Sequence, residues 1–275
     1  MCGELNQQIV RESITGEKLD LDRPKASPRP PVLCPGCPHR STFFALNRAG
    51  IGSTSDIGCY TLGVMPPLSG IDTTICMGAS VGNALGFEKA IGREFAKKMV
   101  AVIGDSTFVH SGMTGLADIA YNKGATTVII LDNSTTAMTG HQNHPGTGVT
   151  LMGEPTTKID YLKLAESMGI EHARRVDAYD VSAVRAAIKE ATEDDGPALL
   201  VMEGACALQN RKNWGDPFEV DPEKCTACGL CLKLGCPAIG RDKDGKAKID
   251  KLFCVGDACS MCAQVCPAEA ISVSK

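Results

Sequence analysis

The tail of the chain carries two cysteine runs that leave it little freedom of fold. They read Cys225-x2-Cys228-x2-Cys231-x4-Cys236-Pro237 and Cys254-x4-Cys259-x2-Cys262-x3-Cys266-Pro267. Thiolates are soft ligands, and a tight C-x2-C-x2-C loop lets three of them wrap one iron–sulfur cluster corner by corner. The proline after each fourth cysteine turns the chain away. Zinc is the alternative, but zinc sites favour paired C-x2-C hooks set far apart. Two mirrored four-cysteine runs fit it poorly. The chain has 14 cysteines in 275 residues. A reducing compartment does not hold disulfides, so cysteine at this density implies metal. The start, MCGELNQQIV, lacks the basic-then-apolar layout of a signal peptide, and no apolar run approaches the roughly 18 residues of a membrane span. The cytoplasm is the expected location. A net charge of −4 without a long basic run argues against nucleic acid or an anionic membrane as partner.

The rest of the chain reads as an arm and an α/β domain. Residues 1–30 are polar, with four prolines between Arg23 and Pro31, and read as an arm or linker. Residues 31–216 alternate apolar runs with helix-like runs. TVIIL (127–131), MVAVIGD (99–105) and ALLVMEG (198–204) are nearly continuous in apolar residues, as strands buried on both faces are. In residues 180–191, Val181, Val184, Ile188 and Ala191 fall on one helical stripe, with Asp180 placed to cap its start. This alternation predicts a parallel sheet with helices on both faces. Residues 217–275 form a second, small domain, in which DKDGK (242–246) offers a tight turn.

The tail resembles the bacterial two-cluster ferredoxin module, a small α+β fold in which the fourth cysteine of each run ligates the other cluster. The resemblance implies one [4Fe-4S] cluster on Cys225, Cys228, Cys231 and Cys266, and a second on Cys236, Cys254, Cys259 and Cys262. The match departs from the usual spacing before Cys236 and after Cys254, where extra residues must bulge out of the loops.

In the middle, one strand candidate ends in Gly104-Asp105-Ser106 and the next in Asp132-Asn133. Two strand ends of one parallel sheet then present oxygen ligands on one edge, where open α/β sheets bind ligands. A carboxylate and an amide oxygen suit Mg²⁺, which completes its shell with phosphate oxygens and water. Gly104 lets a diphosphate approach the backbone. An ordinary strand–turn–helix is the plainer alternative. The spacing resembles the thiamine diphosphate motif, which implies Mg²⁺ ligands Asp105, Asn133 and the backbone carbonyl of Thr135. MTGHQ (138–142) resembles the version of that motif in 2-oxoacid:ferredoxin oxidoreductases. The small-residue stretch 77–92 looks like a helix that packs close to the cofactor.

Six cysteines lie ahead of the tail: Cys2, Cys34, Cys37, Cys59, Cys76 and Cys206. In pyruvate:ferredoxin oxidoreductases and their relatives the thiamine domain can carry a cluster of its own. That resemblance implies a third [4Fe-4S] cluster on Cys34, Cys37, Cys59 and Cys206. The alternatives are that Cys59 and Cys206 are small buried hydrophobes, and that Cys34 and Cys37 form a redox pair or a turn. Cys76 is expected in the core. His39, His110, His141 and His144 lie in or beside the motifs and are candidates to hold a substrate carboxylate or shuttle a proton, although a structural role is the commoner one. His172 reads as structural.

Together, residues 29–50, the stretch from Gly104 to Gly148 and the cysteine tail resemble the alpha subunit of indolepyruvate:ferredoxin oxidoreductase, a 2-oxoacid:ferredoxin oxidoreductase. The resemblance implies that an arylpyruvate and coenzyme A give an acyl-CoA, CO₂ and two reduced ferredoxins, with thiamine diphosphate, Mg²⁺ and clusters as cofactors. The family's alpha subunit is much longer, and its front half grips the aminopyrimidine ring. No residues before Pro24 are expected to fold into such a domain. A partner subunit is therefore expected to supply it, and a further oxidoreductase subunit to help bind coenzyme A. An electron-transfer or scaffold subunit with a non-catalytic thiamine-type fold is the second class left open.

Overall fold

The computed structural model describes residues 5–18, 27 and 30–274. Cys2, Pro24 and most of the proline-rich stretch lie outside the described residues, and the linker expectation there goes with them. The chain divides into two units, Met1–Pro31 and Val32–Lys275. The first contains helix α1 (Gln7–Thr15), which opens on Asn6, whose side chain accepts from the Ile9 N–H, and closes on Gly16 at φ 72°. Part of the expected arm is therefore helical. Its caps carry that signal, not an apolar stripe, since the helix buries none of its residues.

The second unit runs α2 (His39–Ala49), β1 (Gly52–Ser55), β2 (Thr73–Thr74), α3 (Ala79–Ile91), β3 (Met99–Gly104) and α4 (Asp105–Thr107). A π-helical turn, Phe108–Gly112, leads from α4 into α5 (Met113–Tyr121). Then follow β4 (Thr127–Asp132), α6 (Tyr161–Ser167), β5 (His172–Asp177), α7 (Val181–Glu193) and β6 (Ala198–Glu203). The six strands pair in parallel in the order β2-β1-β3-β4-β6-β5. The three apolar runs are the central strands β3, β4 and β6. Their alternate residues feed two cores: Val102, Ile129 and Leu200 pack with α2 and α7, while Ile103, Ile130 and Val201 pack with α3, α5 and α6. Both faces are covered, which is why these strands read as continuous apolar runs. Asp180 caps α7, accepting from the Ala183 N–H, and Val181, Val184, Ile188 and Ala191 are its buried stripe.

Three strands, β1, β2 and β5, lack an apolar run. In β1, Ser53, Thr54 and Ser55 are fully buried. The hydroxyls of Ser53 and Thr54 donate to the carbonyls of Gly70 (2.6 Å) and Ser80 (2.7 Å). β5 is an edge strand of sequence HARRVD, with only Val176 buried. Cys76 is exposed, correcting the expectation that it belongs to the core. Ile75 and Met77 beside it also face solvent, because this segment passes over the ligand edge of the sheet instead of entering it.

The tail comprises β7 (Phe218–Val220), β8 (Ile239–Arg241), β9 (Ala247–Ile249), α8 (Met261–Gln264) and β10 (Ile271–Val273). β7 pairs with β10, and β8 with β9 through the turn at Asp242–Gly245, both antiparallel. The tail docks on the sheet module through Leu234 and Met261, which join the core of α2 and α7. Gln264 spans the join: its amide oxygen accepts from the Val181 N–H (2.9 Å) and its nitrogen donates to the Tyr179 carbonyl (2.8 Å).

Gly256 packs directly against backbone at this join. It sits at φ 72°, and a Cβ there would lie 2.4 Å from the Gly215 carbonyl carbon and oxygen. Gly256→Ala should destabilise the unit by on the order of 3 kcal/mol, combining left-handed strain with a backbone clash. Gly245→Ala, at φ 79° with nothing within 4 Å, should cost only the strain, about 1 kcal/mol. Urea unfolding of the two variants side by side checks this, and equal costs would contradict it.

Candidate functional site

The ligand edge of the sheet is built by the ends of β3, β4 and β6. Asp105 opens the helix after β3 and is buried, as are Asp132 and Asn133 at the end of β4. A cavity of ≈ 110 Å³ opens between them, lined by His39, Tyr60, Gly104, Asp105, Ser106, Asn133 and Thr135. It has room for several water-sized groups. Asp105 Oδ1 accepts from the Ser106 N–H (2.9 Å), and Asn133 Oδ1 from the Thr135 N–H (3.2 Å). The Thr136 hydroxyl donates to Ser106 Oγ at 2.7 Å. The Thr135 hydroxyl is buried without a partner. A cavity of ≈ 560 Å³ lies at the opposite edge of the sheet, and none of the candidate site residues lines it.

Two carboxylates share this edge. Burial first, and then the neighbouring Asp105 charge, push the Asp132 carboxyl up to about 6. His144 braces Asp105. Its Nδ1 accepts from the Gly146 N–H (3.1 Å), so the ring proton sits on Nε2, which donates to Asp105 Oδ2 (3.2 Å). A divalent cation would relieve the repulsion between the carboxylates, and the donor set of carboxylate and amide oxygen suits a hard cation.

Gly104 has a second reason to be glycine. A Cβ there would come within 2.5 Å of the Tyr60 ring. Tyr60 is buried, stands edge-on to His39 (centroids 6.3 Å apart), and forms one wall of the cavity. Sequence reasoning singled out neither Tyr60 nor Asp56. Asp56 accepts from the Ser80 N–H (2.9 Å) and hydroxyl (2.6 Å) and so anchors the start of α3. Burial pushes its carboxyl above the usual range. The one available signal was its place in the cysteine-bearing stretch SDIGCY.

A second cavity lies against the first. Cys34, Cys37, Cys59 and Cys206 all line it, as do His39, Asn133, Ala137 and His141. His39, Cys59, Asn133 and Ala137 are common to both cavities. The CPGC segment is a turn in which the Cys37 N–H donates to the Cys34 carbonyl (3.1 Å), and Pro38 then starts α2. Burial pushes the Cys37 thiol up to about 12, and raises Cys34 and Cys59 with help from the neighbouring thiols. His39 receives the Asn133 amide N–H on Nε2 (3.4 Å), and burial lowers its pKa to about 4, so the ring is neutral. His141 lines the cysteine cavity with Nδ1 buried and unpartnered. His110 is exposed and lines neither cavity; its Nδ1 meets Ser111 Oγ at 2.8 Å. His172 pairs with Asp194 at the surface (3.0 Å).

The tail cysteines fall into two groups. Cys236, Cys254, Cys259 and Cys262 line one cavity, and Cys225, Cys228, Cys231 and Cys266 line another. The groups touch electrostatically: burial, then Cys259 and the rest of its own group, and then Cys231 of the other group, raise the Cys262 thiol. Among the described residues, no three His, Cys, Asp or Glu side chains close on a single-ion site.

Residues 56–202, more than half of the chain, match the family described as thiamine pyrophosphate enzyme, C-terminal TPP binding domain. The chain belongs to that family. It is 44% identical over 273 residues to indolepyruvate oxidoreductase subunit IorA of Pyrococcus horikoshii, a match covering 91% of this chain and 42% of the relative. The subunit of the same name from Archaeoglobus fulgidus is 42% identical over 275 residues, covering 96% of this chain and 43% of the relative. The chain thus spans less than half the length of these curated relatives. Among solved structures it is similar to 2-oxoglutarate:ferredoxin oxidoreductase from Magnetococcus marinus, with a TM-score of 0.56 and 20% identity over 83% of this chain and 82% of that one. At that identity the likeness is one of fold: the six-stranded parallel sheet is a thiamine-diphosphate-binding fold. Among the described residues no helix is long and apolar enough to cross a membrane.

The His144–Asp105 contact is buried on both sides. His144→Ala should remove a charge-assisted hydrogen bond worth about 2 kcal/mol, leaving Asp105 beside Asp132 without a donor on Oδ2. His144→Gln, which keeps a donor, should recover part of the loss. Urea midpoints at neutral pH are the check; an Ala variant as stable as wild type would show the contact to be idle.

Proposed function

We propose that the chain is the diphosphate-binding and electron-transfer part of a 2-oxoacid:ferredoxin oxidoreductase acting on an arylpyruvate such as indolepyruvate, with coenzyme A as acyl acceptor and ferredoxin as electron acceptor. The observation that carries this reading is the pair of abutting cavities. One has the oxygen donors of a thiamine diphosphate site. The other has four cysteines, and His39, Cys59, Asn133 and Ala137 are shared walls. The names of the relatives support the substrate class.

In this reading Asp105, Asn133 and the Thr135 carbonyl hold Mg²⁺, and Gly104 and Ser106 border the diphosphate. The buried, unpartnered Thr135 hydroxyl is a polar atom that a bound ligand would satisfy. Bound thiamine diphosphate supplies the electron sink that lets a 2-oxoacid lose CO₂. The chain's own residues do the rest. His144 holds Asp105 in place. Neutral His39 accepts from the Asn133 amide and fixes its orientation, so that the amide oxygen faces the cation. Tyr60 and Leu131 keep the cavity wall dry on one side.

The three cysteine sets hold three [4Fe-4S] clusters, on Cys34, Cys37, Cys59 and Cys206; on Cys236, Cys254, Cys259 and Cys262; and on Cys225, Cys228, Cys231 and Cys266. A cubane spreads its thiolates more widely than a single zinc ion does, which accords with cysteine-lined cavities and no closed single-ion site. The tail then has the ferredoxin-like two-cluster arrangement, with residues 217–275 as its domain and 31–216 as the thiamine domain. Cys262 of the second set neighbours Cys231 of the third, and Arg40 lies between the second set and the first. Such a protein belongs in a reducing compartment, the cytoplasm. The relatives are named as subunits, which supports a partner subunit in the working enzyme.

Anaerobically purified native complex should contain thiamine diphosphate and about twelve irons per copy of this chain, four for each cysteine set. Cys59→Ala combined with Cys206→Ala should remove about a third of the iron. Asp105→Ala should abolish retention of thiamine diphosphate with the iron unchanged. Unaltered iron in the double variant would refute the cluster beside the cofactor, and normal thiamine diphosphate in Asp105→Ala would refute the cation site.

A further inference from the structure

Arg40 is a buried cation without a carboxylate. It is 2% exposed, and among the described residues no Asp or Glu lies within ion-pair distance of it. Its guanidinium donates only to backbone carbonyls: Nε and a terminal nitrogen to Cys34 (3.3 and 3.0 Å), the same nitrogen to Leu33, and the other to Leu234 (3.0 Å). Leu33 and Cys34 belong to the loop of the first cysteine set. Leu234 ends the turn that begins at Cys231 and lies two residues before Cys236. Arg40 also lines the cavity of Cys236, Cys254, Cys259 and Cys262. It therefore stands between two cysteine sets and holds the chain around both.

Burying a charge without a counter-charge is costly, and carbonyl dipoles offset only part of that cost. A cysteine set lies on each side of Arg40: it donates to the loop of one and lines the cavity of the other. The cavity of the outer set, Cys225, Cys228, Cys231 and Cys266, by contrast, is not lined by Arg40. In the loop of the outer set the nearby cation is Arg241, whose guanidinium approaches Gly229.

We propose that Arg40 is the shared counter-ion of two clusters, the one on Cys34, Cys37, Cys59 and Cys206 and the one on Cys236, Cys254, Cys259 and Cys262, and that its charge raises the reduction potentials of both. This rests on the cluster reading above. A four-thiolate cubane is anionic and gains one further negative charge on reduction, so a fixed cation stabilises the reduced form. When one electron passes from the first cluster to the second, the first core is oxidised by one unit and the second reduced by one. No bond or proton changes hands. The negative charge moves from one side of the guanidinium to the other while the total around it stays constant. One cation thus raises both potentials together, with little effect on the difference between them, and Arg40 is a positioning and tuning residue that touches no substrate.

The test uses the native complex with Arg40→Met and Arg40→Lys. Iron and sulfide are counted first, and each cluster is then titrated anaerobically by electron paramagnetic resonance. In Arg40→Met the reduced-to-oxidised ratio of both inner clusters, read at the wild-type midpoint, should fall about tenfold, a 59 mV shift for one electron. Arg40→Lys keeps the charge but loses the planar fork, and should stay within about twofold. The outer cluster should stay within about twofold in both. A merely structural role would move Met and Lys alike, so equal shifts, or none, overturn the proposal. If the Met variant does not retain its inner clusters, iron counts on Arg40→Gln and Arg40→Lys decide. Loss of about eight irons in the neutral variants but not in Lys supports the counter-ion; equal loss in Lys overturns it. A wild-type complex lacking the first cluster would instead refute the underlying reading, and that result appears before any substitution is made.

Discussion

One backbone hydrogen bond joins the two halves of the candidate site: the Cys206 N–H donates to the Asn133 carbonyl at 3.1 Å. It continues the β4–β6 ladder beyond the last sheet residues, after the Gly204 N–H has donated to the Asp132 carbonyl at 2.9 Å. Because parallel strands emerge side by side, the loop after β4 and the loop after β6 cannot separate without opening the sheet. Asn133 thereby faces one cavity with its side chain while its backbone holds a cysteine of the next. Tyr179 repeats the device after β5. Its hydroxyl lies 3.0 Å from the Gly36 carbonyl and 3.1 Å from that of Ala205, spanning the two cysteine loops. A fold that delivers all its strand ends to one edge can assemble a site from segments more than a hundred residues apart in sequence.

The same edge concentrates buried charge, each instance held by a different means. Asp56 is satisfied by the start of α3, and Asp105 by His144 and the Ser106 N–H. Asp132 accepts from the Ser134 N–H at 2.8 Å, yet still lies against Asp105. At the opposite edge, Glu88 near the end of α3 accepts from the Ala125 N–H and the Thr126 hydroxyl. Glu88 and Asp56 are closed structural units. The Asp105–Asp132 pair and Arg40 are not, since each leaves a net charge in a dry place. Unbalanced buried charge is where a chain accepts cost for a ligand, and here the imbalance has opposite sign on the two sides: negative where a cation would sit, positive between the thiols.

How much of this was legible in the sequence varied with the physics of each element. β3, β4 and β6 announce themselves because both faces are buried and the apolar run is unbroken. β1 does not, because its interior side chains are hydroxyls, and those of Ser53 and Thr54 are satisfied by Gly70 and Ser80, residues whose proximity only the fold creates. β5 is hidden because an edge strand can carry arginines whose charges reach solvent and acidic neighbours, as Arg175 does with Asp160 and Glu203. The cysteine runs carry short motifs whose resemblance to cluster-binding modules implies three sets of four, and each set lines a cavity. Tyr60 and Arg40 left no comparable mark. One is an aromatic wall set by a neighbouring glycine, and the other sits in the first turn of a helix whose partners include Leu234, nearly two hundred residues away.

The tail shows why those partners matter. Its own core contains Phe218, Cys231, Ala247, Ile249 and Ile271, with two sheets of two strands each. So small a core supplies little stability, and domains of this size ordinarily need metal, disulfides or docking to persist. Docking is visible in Leu234 and Met261, which leave the tail's core to join that of α2 and α7. It is visible again in Gln264, which serves as a side-chain acceptor at the N-terminus of α7. The tail therefore does not hang from the sheet module by a linker. Its cysteine loops are seated on the helix that carries the CPGC turn, and the spacing between the cysteine sets is fixed by packing, as electron transfer between them would require.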